Sequence, residues 1–232
     1  MQPEEILKEF KALLNPKNIE GMRRFGINSA QMYGINIPVL RKMAKSIGKD
    51  TELALELWET GIHEAQILAS MVAKPSEISE NLMEKWVKDF DSWGICDQVC
   101  TNLFRKTGFA YKKIFEWAER EEEYVKRAGF VMMTVYALDN KNLDDETANS
   151  FFALIKSKAR DERNFVKKAV NWALRQIGKN NLRLNKLAIR CAEELLQEQP
   201  DFRSAKWIAK NALNELKSKA VQERLKAKTM QK

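Results

Sequence analysis

The chain has 232 residues, 44% hydrophobic and 31% charged, with only 9 Gly and 5 Pro. That length can bury a sizeable core, and so few turn formers favour helices and exclude a hairpin-rich fold. The formal net charge of +8 is unevenly placed: residues 156–232 carry 20 Lys+Arg against 8 Asp+Glu, the first 155 residues 20 against 24. Such asymmetry points to a polyanion partner, nucleic acid ahead of an anionic membrane surface. A solvated basic tail at 218–232, free to fray, does not account for all of it, because the excess begins at Lys156 inside patterned sequence.

Met1 to Glu5 lacks the basic and apolar regions of a signal peptide. Apolar residues then recur at helical spacing: Trp58, Ile62 and Ala65; Ile114, Trp117 and Ala118; Ala169, Trp172 and Ala173. Breaks are expected at Asn15-Pro16, Gly34, Lys74-Pro75, Gly108, Asp139-Asn140, Asn180-Asn181 and Gln199-Pro200. Between them there is no alternating strand pattern and no Gly-rich phosphate loop. The longest uncharged apolar run, Gly129 to Leu138, is too short to span a bilayer. Cys96, Cys100 and Cys191 have no framework spacing and read as reduced core thiols of a cytoplasmic protein.

The second half resembles itself. Tyr124-Val125-Lys126-Arg127-Ala128 is echoed by Phe165-Val166-Lys167-Lys168-Ala169 and more weakly by Phe202 to Ala205. A period of about 40 residues suits HEAT-like helix pairs stacked into a solenoid with a concave face. A compact helical bundle without true repeats is the alternative. One all-α domain over residues 1–232 is expected.

Chemistry is sought where polar residues interrupt apolar helices. Asp97 follows Trp93 by four residues, so both lie on one helical face among Ile95, Cys96, Val99 and Cys100. A carboxylate there either reaches water and a local partner or is held for a function, because an unpaired buried charge is costly. Arg127 stands at the mouth of the apolar stretch Ala128 to Tyr136. Lys168, Trp172 and Arg175 recur at i, i+4 and i+7, a stripe of cation, indole and cation. It suits phosphates with an aromatic ring on a sugar or base; equally, it describes a core tryptophan flanked by snorkelling cations. His63 is the single histidine and no second Cys pair exists, so zinc is not expected. A helix-start role is read for His63 and an interhelix or capping role for Glu64.

In order and spacing these segments resemble the DNA alkylation repair glycosylases of the AlkD type. The matching stretches are Tyr33-Gly34-Ile35-Asn36-Ile37-Pro38-Val39-Leu40-Arg41, Leu57-Trp58 followed by His63-Glu64, Ser92-Trp93-Gly94-Ile95-Cys96-Asp97, Arg127-Ala128, and Lys168-Ala169-Val170-Asn171-Trp172-Ala173-Leu174-Arg175. The resemblance implies an all-α, HEAT-like solenoid that cradles duplex DNA on a concave basic face. It implies Asp97 as the catalytic carboxylate, Trp93 and Trp172 as indoles on the lesion's deoxyribose, and Arg127 as a backbone grip beside them. Lys168 and Arg175 would hold phosphates, while Asn36, Pro38 and Arg41 approach the duplex from the N-terminal side. One departure is Gly94, where many members carry an acidic residue.

The activity so implied is hydrolysis of the N-glycosidic bond of N3- or N7-alkylated purines without base flipping. It needs no cofactor and no metal. The expected partner is duplex DNA with alkylated purines, bound by a monomer with no obligate protein partner and no membrane, in the cytoplasm at the nucleoid. A non-catalytic HEAT-like protein that recognises DNA or RNA structure is the competing reading.

Overall fold

A computed structural model describes residues 2–230. Its secondary structure, among the described residues, is fourteen α-helices and two 3-10 turns with no strand, as the composition predicts. The chain divides into two compact units, one ending at Ala110 and one beginning at Tyr111.

The first unit contains α1 (Pro3–Ala12), α2 (Pro16–Arg24), α3 (Ile37–Ile47), α4 (Thr51–Glu59), α5 (His63–Val72), α6 (Glu80–Lys88) and α7 (Trp93–Asn102). Local signals set several of these starts. Asn15, Asp50, Ser79 and Ser92 each accept a first-turn backbone N–H through the side chain, satisfying a donor that the helix itself leaves open. The core is built on rings: Trp58 and Trp86 stack with centroids 3.9 Å apart, and Trp58 Nε1–H donates to Asp89 at 2.8 Å. The buried α5 organises the long connection between α2 and α3. Glu64 on α5 is wholly buried and accepts the backbone N–H groups of Tyr33, Gly34 and Ile35 at 2.9, 2.7 and 3.2 Å. Gly34 has φ +73°, and a Cβ there would stand 2.5 Å from the Asn15 carbonyl oxygen, so only glycine fits this turn. Glu64 therefore holds the backbone of the connection between α2 and α3, and among the described residues it neither caps a helix nor pairs with a residue on another one.

The second unit contains α8 (Ala110–Ala118, its first residue at the boundary), α9 (Glu123–Asp139), α10 (Asp145–Lys158), α11 (Asn164–Gly178), α12 (Leu182–Glu198), α13 (Arg203–Leu216) and α14 (Lys219–Met230). The three echoed segments open α9, α11 and α13, and α11 packs against both of the others. Side chains also tie the repeats together. Ser204 Oγ donates to the Ala159 carbonyl at 2.6 Å, and the buried Asn171 donates to that of Ile208 at 3.1 Å. α9 is buried on nearly every side, which explains the apolar run from Gly129 to Leu138. The segment expected to fray continues as α14, with Val221 and Leu225 buried; residues 231–232 lie outside the described residues. No helix among the described residues is long and apolar enough to cross a membrane. The three cysteines are buried and form no disulfide.

Candidate functional site

In the first unit, Trp93 is the first residue of α7, directly after its Ser92 cap. Its indole Nε1–H donates to the backbone carbonyl of Phe25 at 2.9 Å, tying α7 to the end of α2. Trp93 and Asp97 are both half-buried, one turn apart on α7, with Ile95, Cys96, Val99 and Cys100 sealed in the core. The helix therefore presents an indole and a carboxylate at the edge of an apolar wall. Phe25, whose carbonyl holds the Trp93 indole, is 75% exposed. Its signal in the sequence was weak: an aromatic just before Gly26 at a helix end, following Arg23 and Arg24.

Gly94 is explained by what stands against it. A Cβ there would lie 3.0 Å from Ile27 Cδ1 and 3.2 Å from His63 Cε1. The space an acidic side chain would need is filled by Ile27 and the buried imidazole. His63 opens α5, as read from sequence. Ser29 Oγ lies 3.1 Å from His63 Nδ1 and donates to Asp91 Oδ1 at 2.9 Å. A hydroxyl has one proton, so Ser29 accepts from His63 Nδ1–H while donating to Asp91. The order is imidazole, hydroxyl, carboxylate, which turns the serine proton away from the ring and forms no nucleophile–base pair. Burial pushes the His63 pKa down, with the charges of Glu64 and Asp91 opposing.

On α3, Asn36 caps the helix through its backbone, its carbonyl accepting from Val39 and Leu40. Its side-chain oxygen accepts from Asn18 Nδ2 at 3.2 Å. Pro38 and Arg41 follow on one exposed face of the first turns. These residues share their unit with Trp93 and Asp97.

The other expected residues belong to the second unit. Arg127 is only 6% exposed, and its Nη1 donates to the Phe165 carbonyl at 2.7 Å. This cation grips protein backbone at the start of α11. Lys168 is exposed and Trp172 half-buried on α11. Arg175 donates to Glu215 on α13 at 2.6 Å, and Lys179 shares that carboxylate at 2.8 Å. Burial opposes ionisation of Glu215, yet the Lys179 hydrogen bond and the Arg175 charge hold its carboxyl below the usual range. The stripe on α11 is thus open at Lys168 and neutralised at Arg175.

Comparison with known proteins agrees with this helical arrangement. A family model described as DNA alkylation repair enzyme matches residues 6–220. An uncharacterized protein of Listeria innocua is 24% identical over 196 residues, covering 83% of this chain and 85% of its own. Another, from Listeria monocytogenes, is 24% identical over 172 residues, covering 72% and 75%. A solved structure described as a new family of proteins related to the HEAT-like repeat DNA glycosylases, with affinity for branched DNA structures, superposes with a TM-score of 0.76. It is 20% identical and covers 84% of this chain and 83% of that one. The fold is therefore all-α and HEAT-like.

Proposed function

The chain belongs to the DNA alkylation repair enzyme family, and from that premise we propose that it is a DNA glycosylase releasing N3- or N7-alkylated purines from duplex DNA. The observation that carries this reading is Asp97: a half-buried carboxylate one turn after Trp93, on a helix whose first residue is pinned by the Phe25 carbonyl. Alkylation at N3 or N7 makes the purine cationic. When the C1′–N bond breaks, its electron pair leaves with the base, which departs neutral and needs no general acid. The remaining tasks are to stabilise positive charge on the deoxyribose and to place a water on C1′.

An ionised Asp97 performs both tasks. Its charge acts at short range beside an apolar wall, where it is less screened than in water, and it orients the water and draws its proton as the C–O bond forms. Trp93 offers an indole face to the cationic sugar, and Trp172 an indole to the bound duplex. Lys168 takes a phosphate, and Asn36, Pro38 and Arg41 meet the duplex from the N-terminal side. Arg175 reaches a phosphate only in competition with Glu215. Arg127 acts through α11, fixing the first turn of the helix that carries Lys168 and Trp172. The lesion stays stacked, unlike in base-flipping enzymes, so selectivity follows the lability of the cationic bond. Release of 7-methylguanine from a modified duplex by the wild-type chain tests this reading; its absence under DNA excess contradicts it.

A second reading, a DNA-structure binder without hydrolysis, is favoured by two observations. Arg127 and Arg175 are both engaged by protein groups, and the solved neighbour is itself described by its affinity for branched DNA. Tight binding to a branched duplex with no base release would select it.

A further inference from the structure

The basic surface begun on α11 continues on α13, where it is less encumbered. Arg203, Lys206, Trp207 and Lys210 recur at i, i+3, i+4 and i+7, which places them on one face of α13. All four are exposed. The opposite face, with Ala205, Ile208, Ala209 and Ala212, is buried in the unit's core, so the stripe has a fixed orientation. Among the described residues no ion pair engages Arg203, Lys206 or Lys210, in contrast to Arg175.

The aromatic rings distinguish this face from an ordinary solvated helix. Trp207 is 39% exposed and Phe202, the residue before α13, is 37% exposed. Each has a cation from the neighbouring repeat against it. Lys167 Nζ lies 5.3 Å from the Trp207 ring centroid, and Arg160 Cζ lies 4.9 Å from that of Phe202. These contacts hold the rings in place while leaving ring surface in water. Three unpaired cations would serve any phosphate backbone. Two open rings among them add a platform on which a duplex cannot place its bases, because these are already stacked on one another. Unpaired bases can stack on aromatic platforms set in a cationic groove.

We propose that this face of α13, with Phe202, binds single-stranded DNA. Trp207 and Phe202 stack its bases, and Arg203, Lys206 and Lys210 take its phosphates. The proposal is independent of the glycosylase reading, since none of these residues has a part in that chemistry. It gives the protein a means of holding an unpaired strand.

The test is fluorescence anisotropy of the full chain with a labelled oligo-dT of about 16 nucleotides and a blunt duplex of equal length. Trp207→Ala should weaken oligo-dT binding by about 5- to 100-fold, the loss of roughly one stacked base, and leave blunt-duplex binding within about twofold. Trp207→Phe should restore most of the loss. The double variant Lys206→Gln/Lys210→Gln keeps the rings and should flatten the log–log salt dependence of oligo-dT binding by about 1.4. If Trp207→Ala does not fold, this variant decides instead, because the flattening should appear on oligo-dT and not on the blunt duplex. Absence of oligo-dT binding by wild type, unchanged binding by Trp207→Ala, or an equal loss on single strand and duplex would each overturn the proposal, the last in favour of a duplex-backbone surface. An unchanged salt dependence in the lysine variant overturns the phosphate assignment.

Discussion

The His63 ring lies 3.2 Å from the point where a Cβ on Gly94 would stand, so the residue between Trp93 and the rest of α7 is packed against the protein's single histidine. This contact makes Gly94 a consequence of local packing. Gly94→Ala presses on both Ile27 Cδ1 and the held His63 ring, and the helix preference gained, about 1 kcal/mol, works against that squeeze, so its stability should stay within about 1 kcal/mol of wild type. Gly94→Glu needs more room still and should cost roughly 1–3 kcal/mol through overpacking. Urea unfolding of the two variants checks this. A Gly94→Glu chain as stable as wild type would show that Ile27 and His63 do not fill the space.

His63 also links this region to pH. Burial lowers its pKa in the fold, whereas the unfolded imidazole titrates near 6.5. Below about 6.5 the unfolded chain therefore binds more protons than the folded one. This contribution to stability is fully present above that pH and is lost as pH falls through the lower folded pKa. Urea midpoints of wild type and His63→Gln, compared at about pH 7.5 and pH 5, should show the wild type losing its advantage on acidification. A difference that does not change with pH contradicts the assignment.

Glu215 restrains two cations, Arg175 and Lys179. Glu215→Gln removes the negative charge and keeps the shape. DNA affinity should then rise, with the salt dependence steepening by about 0.9 for each phosphate newly contacted. Equal affinity and equal slope for wild type and variant would remove Arg175 from the DNA contacts.

Much of this arrangement was legible in the sequence, and the residues show why. The expected breaks at Asn15-Pro16, Gly34, Lys74-Pro75, Gly108, Asp139-Asn140, Asn180-Asn181 and Gln199-Pro200 all fall between helices or at their first or last residues, because turn and cap preferences act within a few residues. The echoed segments open α9, α11 and α13. Trp93 and Asp97 share a helix face by spacing alone. What the sequence concealed depends on partners far along the chain. Arg175 meets Glu215 across 40 residues, Arg127 meets the Phe165 carbonyl across 38, and Ser29 reaches His63 and Asp91 across 34 and 62. Charge and spacing placed Arg127 and Arg175 on helices as cations, but packing decided which would face water. Arg203, Trp207 and Lys210 on α13 share the spacing of the α11 stripe, but their solvent-open face emerges only from the packed repeats.

If Asp97 carries the hydrolysis, single-turnover release of 7-methylguanine from a modified duplex at saturating protein depends on its charge. Asp97→Asn preserves size and removes the charge, so release should slow by about 10²–10³-fold with DNA affinity nearly unchanged. Release by Asp97→Asn at the wild-type rate would contradict the account.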